Sequence, residues 1–391
     1  MKTSSLILGL CALFGAQSAT QAQDKTVKIG FLSTLSGPTA AIGTDVRDGL
    51  QLLLKSKGGK LGGLQAELII TDDALSTDTA KQNAERLLKR EKVDFITGGI
   101  FAAVYLPVLP EILASKTFYL GANGGPQDYA GAKCNPYYFS VAFQNEDLSP
   151  GIATFMEKRN FKSIYLVATA GPGGREVLNG FKRHYKGKFE EMYTKLGQVD
   201  YAAELATIRA AKPEAVFAFL PGGMGVSFMK QFVGAGLSKD TQVFVPGYNA
   251  DEDSLRPLGD TMLGTMNTSH WAHDLDNAAN KRFVQLFQAE YKRLPSMYAA
   301  QGYDVGQLLD GAIRDVKGRI SDKDAMRKAL EAANFESVRG KFKFNKNHMP
   351  IHDIHMRVVT KDSQGRVTNK TLTTVAKQQA DPFVGECQMP K

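Results

Sequence analysis

The sequence predicts an α/β protein made of two doubly wound, Rossmann-like lobes. Strand-like apolar runs alternate with helix-like runs in two successive series, over residues 27–121 and 149–246. Each series repeats the βαβ unit, which places parallel strands side by side and covers both faces of the sheet with helices. The 391 residues, of which 43% are hydrophobic, are enough to bury a core in each lobe.

The first series alternates strictly between strands and helices. Its first helix is typical, because Val46, Leu50, Leu53 and Leu54 recur at the spacing of one helix face. The predicted strands are 27–32, 66–70, 94–97 and 117–121, and the predicted helices are 43–57, 78–90 and 103–115.

The second series follows the same rule after residue 145. The predicted strands are 163–169, 191–195, 215–220 and 242–246, and the predicted helices are 149–159, 175–186, 201–212 and 225–235. Because the apolar runs again alternate with helical patterns, we expect a second parallel sheet with helices on both faces.

The last third of the chain breaks the alternation. Helices predicted at 277–292, 297–316 and 322–333 have no strands between them, so we expect them to pack back onto the first sheet. A β hairpin at 355–361 and 370–376 closes the chain. Since no low-complexity linker separates the lobes, the chain is expected to cross between them more than once.

The N-terminal segment 1–22 has the pattern of a secretory signal peptide. Lys2 precedes an apolar run over residues 6–14, and a small-residue cleavage site ends at Ala22. We therefore expect export to the periplasm and cleavage near Ala22. Removal of this segment leaves Cys134 and Cys387, and an oxidising compartment favours a disulfide between them. Two free thiols are the alternative.

Charge and motifs favour a binding protein over an enzyme. The net charge of +8 comes from basic residues scattered along the chain, so no nucleic-acid surface is expected. The sequence has no GxxxxGK, GxSxG or HExxH motif, and we predict no catalytic residue, no cofactor and no metal site. We interpret His348, His352 and His355 as polar surface residues, since His352 and His355 point to opposite faces of a strand.

Four loops are candidates for a ligand site, at residues 35–39, 98–105, 122–125 and 168–175. Each follows a predicted strand, and ligands of open parallel sheets bind beyond the carboxyl ends of the strands. Each also contains glycine and leads towards a helix, which suits close approach of backbone N–H groups to a small anion. Ordinary turn chemistry is the alternative for each loop.

A family resemblance rests on residues 29–43 (IGFLSTLSGPTAAIG), 71–73 (TDD), 94–105 and 295–304 (PSMYAAQGYD). These segments resemble the leucine/isoleucine/valine-binding family, the type I periplasmic solute-binding proteins of ABC importers. The resemblance implies two lobes joined by a three-crossing hinge, with crossings near 142–144, 268–270 and 344–346. It places lobe 1 at 24–142 and 271–344, and lobe 2 at 143–270 and 345–391.

The resemblance also implies a function. It predicts the periplasmic solute-binding component of an ABC importer, a monomer that binds a small molecule by lobe closure and docks onto ABC permease membrane subunits. Such a protein is not an enzyme and needs no cofactor. Two alternatives stay open: a branched-chain or other amino-acid-binding protein of the same family, and a secreted subunit that reports a ligand to a receptor.

Departures from the family indicate the ligand. Where members that bind aliphatic amino acids have a hydroxyl-rich loop, this chain has Phe101, Ala102, Ala103 and Val104, and residues 123–125 (NGG) replace a threonine-bearing turn. The acidic residue expected to hold an α-ammonium falls near Tyr248. Since a buried ammonium without a carboxylate partner is costly, a free amino acid is a poor fit.

We therefore expect an aromatic or otherwise apolar carboxylate as the ligand. Rings would stack on apolar side chains, while an arginine and helix N-termini would take the anion. Trp271 would close over the ligand ring or pin the lobes together, and core packing or solvation is the alternative for the other side chains. The predicted ligand-binding residues are Ser36, Thr39, Phe101, Ala102, Ala103, Tyr105, Asn123, Gly124, Arg175, Tyr248 and Trp271.

Overall fold

The computed structural model describes residues 25–389 and contains two α/β lobes, each built around its own sheet. The predicted fold class is therefore confirmed. The signal peptide predicted at residues 1–22 lies outside the described residues. Within the described part of the chain, no helix is long and apolar enough to cross a membrane.

The first sheet has six strands in the order β2-β3-β1-β4-β5-β6. Strands β1, β3, β4, β5 and β6 run parallel, and β2 forms an antiparallel hairpin with β3. Every residue of β4 and β5 is buried, as expected for strands covered by helices on both faces. The strands are β1 Thr26–Ser33, β2 Lys60–Leu61, β3 Leu64–Asp72, β4 Phe95–Gly98, β5 Phe118–Gly121 and β6 Tyr138–Ser140.

The second sheet has eight strands, of which seven follow the order β12-β13-β11-β10-β9-β7-β8. Its centre is parallel, whereas β13 runs antiparallel to β11 and pairs along its other edge with β14. The strands are β7 Ser163–Thr169, β8 Lys188–Thr194, β9 Ala215–Phe219, β10 Gln242–Pro246, β11 Met266–Ser269, β12 Lys343–Phe344, β13 Pro350–Lys361 and β14 Val367–Gln379.

Helices connect the strands and cover the sheets. Side chains of Ser76, Asn277, Ser296 and Asp322 accept backbone N–H groups at the starts of four of these helices, which satisfies donors that the helix itself leaves free. The helices are α1 Ala40–Ser56, α2 Thr77–Glu85, α3 Ala102–Tyr105, α4 Leu109–Ala114, α5 Gln127–Ala130, α6 Ser149–Lys158, α7 Pro172–His184, α8 Ala202–Ala211, α9 Gly223–Gly234, α10 Glu252–Leu258, α11 Ala278–Tyr291, α12 Met297–Asp315 and α13 Lys323–Ala332.

Helices α11–α13 are the three that the sequence predicted without intervening strands, and α12 packs tightly on α1 of the first lobe. The contact is reciprocal. A Cβ placed on Gly49 of α1 would lie 1.9 Å from the carbonyl oxygen of Ala299, and one on Gly302 of α12 would lie 2.0 Å from that of Val46. Because no side chain separates the backbones, α12 is held against the first lobe although it follows the second in sequence.

Several predicted boundaries differ from the observed ones. The helix predicted at 78–90 ends at Glu85 and continues as a π-helical turn, Arg86–Glu91. The helix predicted at 103–115 is broken into α3, a 3₁₀ turn and α4, because Pro107 and Pro110 each remove a backbone donor. The short strands β2, β6, β11 and β12 were not predicted, since two to four residues carry too little periodicity.

The chain crosses between the lobes in three places, after β6, after β11 and before β12. The third crossing was predicted at 344–346, and residues 343–344 were assigned to lobe 1. In the structure, Lys343 and Phe344 pair with Ile351 and Pro350 of the second sheet, while the ring of Phe344 lies 5.3 Å from that of Phe139 in the first sheet. The predicted lobe bounds stay a prediction.

Two buried ion pairs hold these crossings. Arg339 lies 3.1 Å from Asp304 of α12 and donates to the carbonyl oxygens of Val141 and Ala142 in the first crossing. Arg357 of β13 lies 3.0 Å from a carboxylate oxygen of Asp251 and donates to the carbonyl oxygen of Trp271, just after the second crossing. Removing one partner of such a pair leaves a buried charge without compensation, so each pair fixes the position of the crossing segment that it contacts.

The C-terminal tail returns from β14 to the first lobe. Cys387 forms the predicted disulfide with Cys134, which lies between α5 and β6, and the two residues are 253 positions apart. Asn347 supports the same junction, because its side chain donates to the carbonyl oxygen of Ala130 and to the carboxylate of Asp381. The predicted disulfide is confirmed, and it links the second sheet's tail covalently to the first lobe.

Removing the disulfide should lower stability. A cross-link over so long a loop restricts the unfolded chain, and its loss in a Cys134→Ser/Cys387→Ser variant should cost a few kcal/mol in the free energy of unfolding. Chemical denaturation of the unreduced wild type and the variant measures this difference. Thiol titration of denatured, unreduced protein that starts at residue 25 should find no free thiol, and two free thiols would contradict the assignment.

Candidate functional site

A cavity lies between the lobes, at the carboxyl ends of both parallel sheets. In the first sheet, β1 is flanked by β3 and β4; in the second, β7 is flanked by β8 and β9. Successive strands therefore add on opposite sides of β1 and of β7, and such reversals open a crevice beyond the strand ends. The crevices of the two lobes face each other across this cavity.

The lining comes from both lobes and from the first crossing. It is mostly apolar and aromatic, with glycines in the loop between β7 and α7. The lining residues are Ile42, Ile100, Phe101, Ala102, Ala103, Tyr105, Asn123, Gly124, Phe143, Asn145, Thr169, Ala170, Gly171, Pro172, Gly173, Gly174, Leu196, Phe219, Pro221, Tyr248 and Tyr298.

Small residues bring the lobes into direct contact around this cavity. A Cβ placed on Gly173 would lie 3.6 Å from the Cβ of Ala102 in the opposite lobe. A Cβ on Gly223, at the start of α9, would lie 2.2 Å from the carbonyl oxygen of Pro38. A separation of 2.2 Å is far inside van der Waals contact, so glycine is required at position 223 for the lobes to meet in this way.

Aromatic rings form much of the cavity wall. The ring of Tyr248 lies 4.9 Å from that of Phe143 and 5.2 Å from that of Phe219, measured between centroids. Across the cavity, Tyr105 stacks on Tyr119 and donates its hydroxyl to the carbonyl oxygen of Gly124 at 2.7 Å. Burial raises the pKa of both Tyr105 and Tyr248 well above the usual range, so both phenols are neutral.

The lining carries polar groups but no charge. Among the described residues that line the cavity, none is Asp, Glu, Lys, Arg or His. The first turn of α7 contributes Gly173 and Gly174, whose N–H groups lie at the positive end of a 13-residue helix. Such a helix start attracts an anion, so the cavity combines apolar walls with a site for one negative group.

Glu176 is the acidic residue beside the lining. Its carboxylate accepts the side-chain N–H of Asn145 at 2.8 Å and the backbone N–H of Gln127 at 3.0 Å, so it connects α7 to the first lobe. Burial raises the pKa of Glu176 to about 7, and these two hydrogen bonds oppose the rise. Because Glu176 is already engaged and 9% exposed, it is a structural link between segments of the wall.

Seven of the predicted ligand-binding residues line the cavity. They are Phe101, Ala102, Ala103, Tyr105, Asn123, Gly124 and Tyr248. The position of a loop after a parallel strand was sufficient to find those in the loops that follow β4 and β5, whereas Tyr248 was indicated by the family resemblance.

Arg175 and Trp271 are not among the described residues that line the cavity. Helix α7 begins at Pro172 rather than at residue 175, and the guanidinium of Arg175 stacks over Tyr193 instead, 4.7 Å from the ring centroid. Trp271 is 1% exposed, and its indole N–H donates to Asn280 at 2.8 Å. The tryptophan therefore packs on α11 next to the hinge, which matches the alternative in which it pins the lobes.

Ser36 and Thr39 are also absent from the lining. Ser36 is exposed and hydrogen-bonds to the carboxylate of Asp72, which contributes to lowering the pKa of that group. Thr39 is fully buried at the start of α1, against Gly222 of the other lobe. The loop after β1 thus serves the contact between the lobes, and only Ile42 farther along α1 reaches the cavity.

The lining residues that the sequence did not indicate include Phe143, Asn145, Phe219 and Tyr298. Phe219 ends strand β9, so the rule on strand ends could have found it. Phe143 and Asn145 lie in the first crossing, and Tyr298 lies in the first turn of α12. Their places depend on how the chain returns between the lobes, which no local pattern indicates.

The histidines interpreted as surface residues are buried instead. His348 is 2% exposed, and its ring stacks on that of Phe139. The rings of His352 and His270 stack with 5.4 Å between their centroids, and His352 lies beside Asp147 in the hinge. The prediction failed because the crossings pass between the two lobes and are covered from both sides. In residues 25–389, no three His, Cys, Asp or Glu side chains are grouped so that they could hold a metal ion.

Comparison with known proteins gives consistent results over nearly the whole chain. A family model described as periplasmic binding protein matches residues 26–366. Leu/Ile/Val-binding protein homolog 6 of Brucella melitensis is 27% identical over 381 residues, which cover 93% of this chain and 95% of that protein.

Two solved structures are similar in sequence and fold. A solute binding protein of an ABC transporter from R. palustris, in complex with benzoate, is 30% identical with a TM-score of 0.87, over 93% of this chain and 99% of that one. A solute binding protein of an ABC transporter from Rhodopseudomonas palustris BisB5, in complex with 3,4-dihydroxy benzoic acid, is 28% identical with a TM-score of 0.84, over 92% and 99% of the respective chains.

Replacing Glu176 with glutamine should change how stability depends on pH. The pKa of Glu176 rises from 4.5 to about 7 on folding, so between these pH values the folded state holds the proton more often and stability falls as pH rises. A glutamine side chain at this position would keep an oxygen for both hydrogen bonds without ionising. Relative to wild type, Glu176→Gln should therefore gain roughly 1–3 kcal/mol between pH 5 and pH 8. Denaturation at both pH values tests this, and a difference that is constant with pH would contradict it.

Proposed function

This chain belongs to the periplasmic binding protein family, and from that premise we propose that it captures an aromatic carboxylate for an ABC importer. Its relatives are solute-binding proteins of ABC transporters, which bind small molecules and work with permease components. Such proteins do not transform their ligands, and the prediction of a non-enzymatic protein is confirmed at the level of the family. The family also implies a periplasmic or extracellular location. We propose the periplasm, reached through the signal peptide at residues 1–22.

One observation carries the proposed ligand class: an uncharged, aromatic-lined cavity that opens onto the start of α7. The rings of Phe101, Tyr105 and Tyr248 offer apolar faces to an aromatic ligand. The N–H groups of Gly173 and Gly174 would donate to its carboxylate, and the helix dipole would stabilise the negative charge.

The same lining disfavours a free amino acid. An α-ammonium group enclosed between the lobes needs an anionic partner, and the described lining residues include no carboxylate. The carboxylate of Glu176 already accepts hydrogen bonds from the side chain of Asn145 and the backbone N–H of Gln127, so it is not free to pair with an ammonium. The name of the Brucella relative supports amino-acid binding as the second candidate, whereas the ligands of the two R. palustris proteins support a benzoate.

Lobe closure is the proposed mechanism of capture. The ligand would bind to one lobe in an open form, and the contact of Gly173 with Ala102 and of Gly223 with Pro38 would then shut the cavity. Closure removes water around the ligand, which strengthens the hydrogen bonds of its carboxylate to backbone N–H groups. A permease that docks only onto the closed form would then receive loaded protein.

Ligand screening tests the proposed class. Benzoate or a ring-substituted benzoate should raise the unfolding temperature, because a ligand at 100 times its Kd stabilises the folded state by about 2.7 kcal/mol. Leucine, isoleucine and valine should leave the unfolding temperature unchanged at the same concentrations. Stabilisation by these amino acids together with no effect of any benzoate would overturn the proposal in favour of the second candidate.

Substituting Gly223 should weaken binding without harming the fold. In Gly223→Ala, the nearest contacts of the added Cβ are with Pro38 in the opposite lobe, so the clash exists only when the lobes are closed. Overpacking of this kind costs about 1–3 kcal/mol, which corresponds to a roughly 5- to 150-fold rise in the Kd for a bound benzoate. Isothermal titration calorimetry measures the change.

The matched control is Gly234→Ala, at the other end of the same helix. A Cβ at position 234 has no neighbouring atom within 4 Å, so this variant should bind like the wild type. Both variants should unfold within a few degrees of wild type in the absence of ligand. Equal affinities of Gly223→Ala and Gly234→Ala would show that closure through Pro38 does not contribute to binding.

A further inference from the structure

We propose that the ligand carries a ring hydroxyl in addition to its carboxylate, and that Asn123 and Tyr248 select this hydroxyl. The inference rests on the proposed function and narrows it from aromatic carboxylates to hydroxybenzoate-like acids. Its basis is a pair of polar atoms in the cavity wall that have no hydrogen-bond partner among residues 25–389: the side-chain oxygen of Asn123 and the phenol oxygen of Tyr248.

The orientation of the Asn123 amide is determined by its neighbour. Its NH₂ group donates to the carbonyl oxygen of Ile100 at 2.9 Å. The reversed amide would place two oxygens against each other, so the side-chain oxygen must point away from Ile100. This oxygen can only accept hydrogen bonds, and it is inaccessible to bulk solvent. The cavity wall therefore presents an acceptor that requires a donor.

Tyr248 supplies the complementary group. The residue is 3% exposed, and its ring is held between Phe143 and Phe219. Its neutral hydroxyl can donate one hydrogen bond and accept others. The other two tyrosine hydroxyls of the wall are already bound, since Tyr105 donates to Gly124 and Tyr298 donates to the carbonyl oxygen of Tyr248.

The two residues both line the cavity, and Phe143 links their parts of the wall. Asn123 precedes Gly124, and a Cβ placed on Gly124 would lie 3.0 Å from the ring of Phe143. The Phe143 ring in turn contacts that of Tyr248. Asn123 and Tyr248 are thus linked through Phe143, whereas the N–H groups proposed for the carboxylate belong to the first turn of α7.

The chemistry of the pair excludes the other ligand groups considered above. A carboxylate has no proton to donate, so it would repel the oxygen of Asn123. An ammonium could donate but would lack a compensating charge in this lining. A neutral phenol hydroxyl donates one hydrogen bond and accepts from another group, which matches an acceptor and a tyrosine hydroxyl without adding charge.

Calorimetric titration with benzoate, 3-hydroxybenzoate and 4-hydroxybenzoate tests the inference. In the wild type, at least one hydroxybenzoate should bind about tenfold or more tightly than benzoate, because benzoate leaves the buried acceptor without a partner. In Tyr248→Phe, which removes only the hydroxyl, this preference should fall below about threefold, a loss of the kind expected for one hydrogen bond.

Asn123→Ala is the second variant, and it should abolish the preference in the same way. Because it also breaks the bond to Ile100, its unfolding temperature without ligand has to be measured, and Tyr248→Phe carries the test if Asn123→Ala does not fold. Tyr138→Phe is the matched control. It removes another fully buried phenol oxygen without a partner in the described chain, outside the cavity lining, so the preference for hydroxybenzoate should persist.

The possible outcomes separate this inference from the proposed function. Equal affinities for benzoate and both hydroxybenzoates in the wild type would overturn the inference and leave the proposed function standing. A preference that survives in both Tyr248→Phe and Asn123→Ala would also overturn it, and survival in one variant would remove that residue from the selecting pair. Failure of all three acids to bind would overturn the proposed function together with the inference.

Discussion

The contact between the two lobes runs through glycine and alanine, and the cavity exists in its observed form because of this contact. Gly171 and Gly173 face Ala103 and Ala102, while Gly222 and Gly223 lie against the segment that starts α1. Backbone thus meets backbone across the cleft at distances that a larger side chain would prevent. The close approach places the first turn of α7 in the lining, so backbone N–H groups accompany the polar side chains of Asn123 and Tyr248 there.

A second consequence concerns charge. The described lining residues are all uncharged, although acidic and basic groups lie just behind them. Glu176 is bound by Asn145 and Gln127, and Arg175 stacks on Tyr193 outside the cavity. A ligand with one negative group can use the first turn of α7, whereas a zwitterion would bring a positive charge into a wall without an anion. The proposed selectivity against amino acids therefore rests on an uncharged lining, since the neighbouring charged groups are engaged in other contacts.

Buried charged groups, which the described cavity lining lacks, lie in the hinge. Arg339 and Arg357 each combine a buried carboxylate with backbone carbonyl oxygens of a crossing segment, and His352 lies 3.2 Å from Asp147 nearby. Such groups tolerate burial only when they are paired, so they define the path of the crossings closely. Trp271 belongs to this region, where its indole N–H is bound to Asn280 and its carbonyl oxygen to Arg357. A defined hinge keeps the two crevices facing each other.

Much of the protein was determined by the sequence alone. Alternating apolar runs predicted the two parallel sheets, and the position of loops after strands located Phe101, Tyr105 and Asn123. The pairing of the cysteines followed from compartment and number. These properties depend on short-range periodicity or on composition, which a single chain displays directly.

The tertiary structure decided which side chains enter the cavity. Helix α7 begins three residues earlier than its pattern indicated, and since each residue turns the helix by about 100°, Arg175 points towards Tyr193 instead of the ligand site. Phe143 and Tyr298 reach the wall because the crossing after β6 and helix α12 return to the cleft from distant parts of the chain. Helix phase and lobe placement result from packing between segments that are far apart in the chain, and a local sequence pattern contains no information about such contacts.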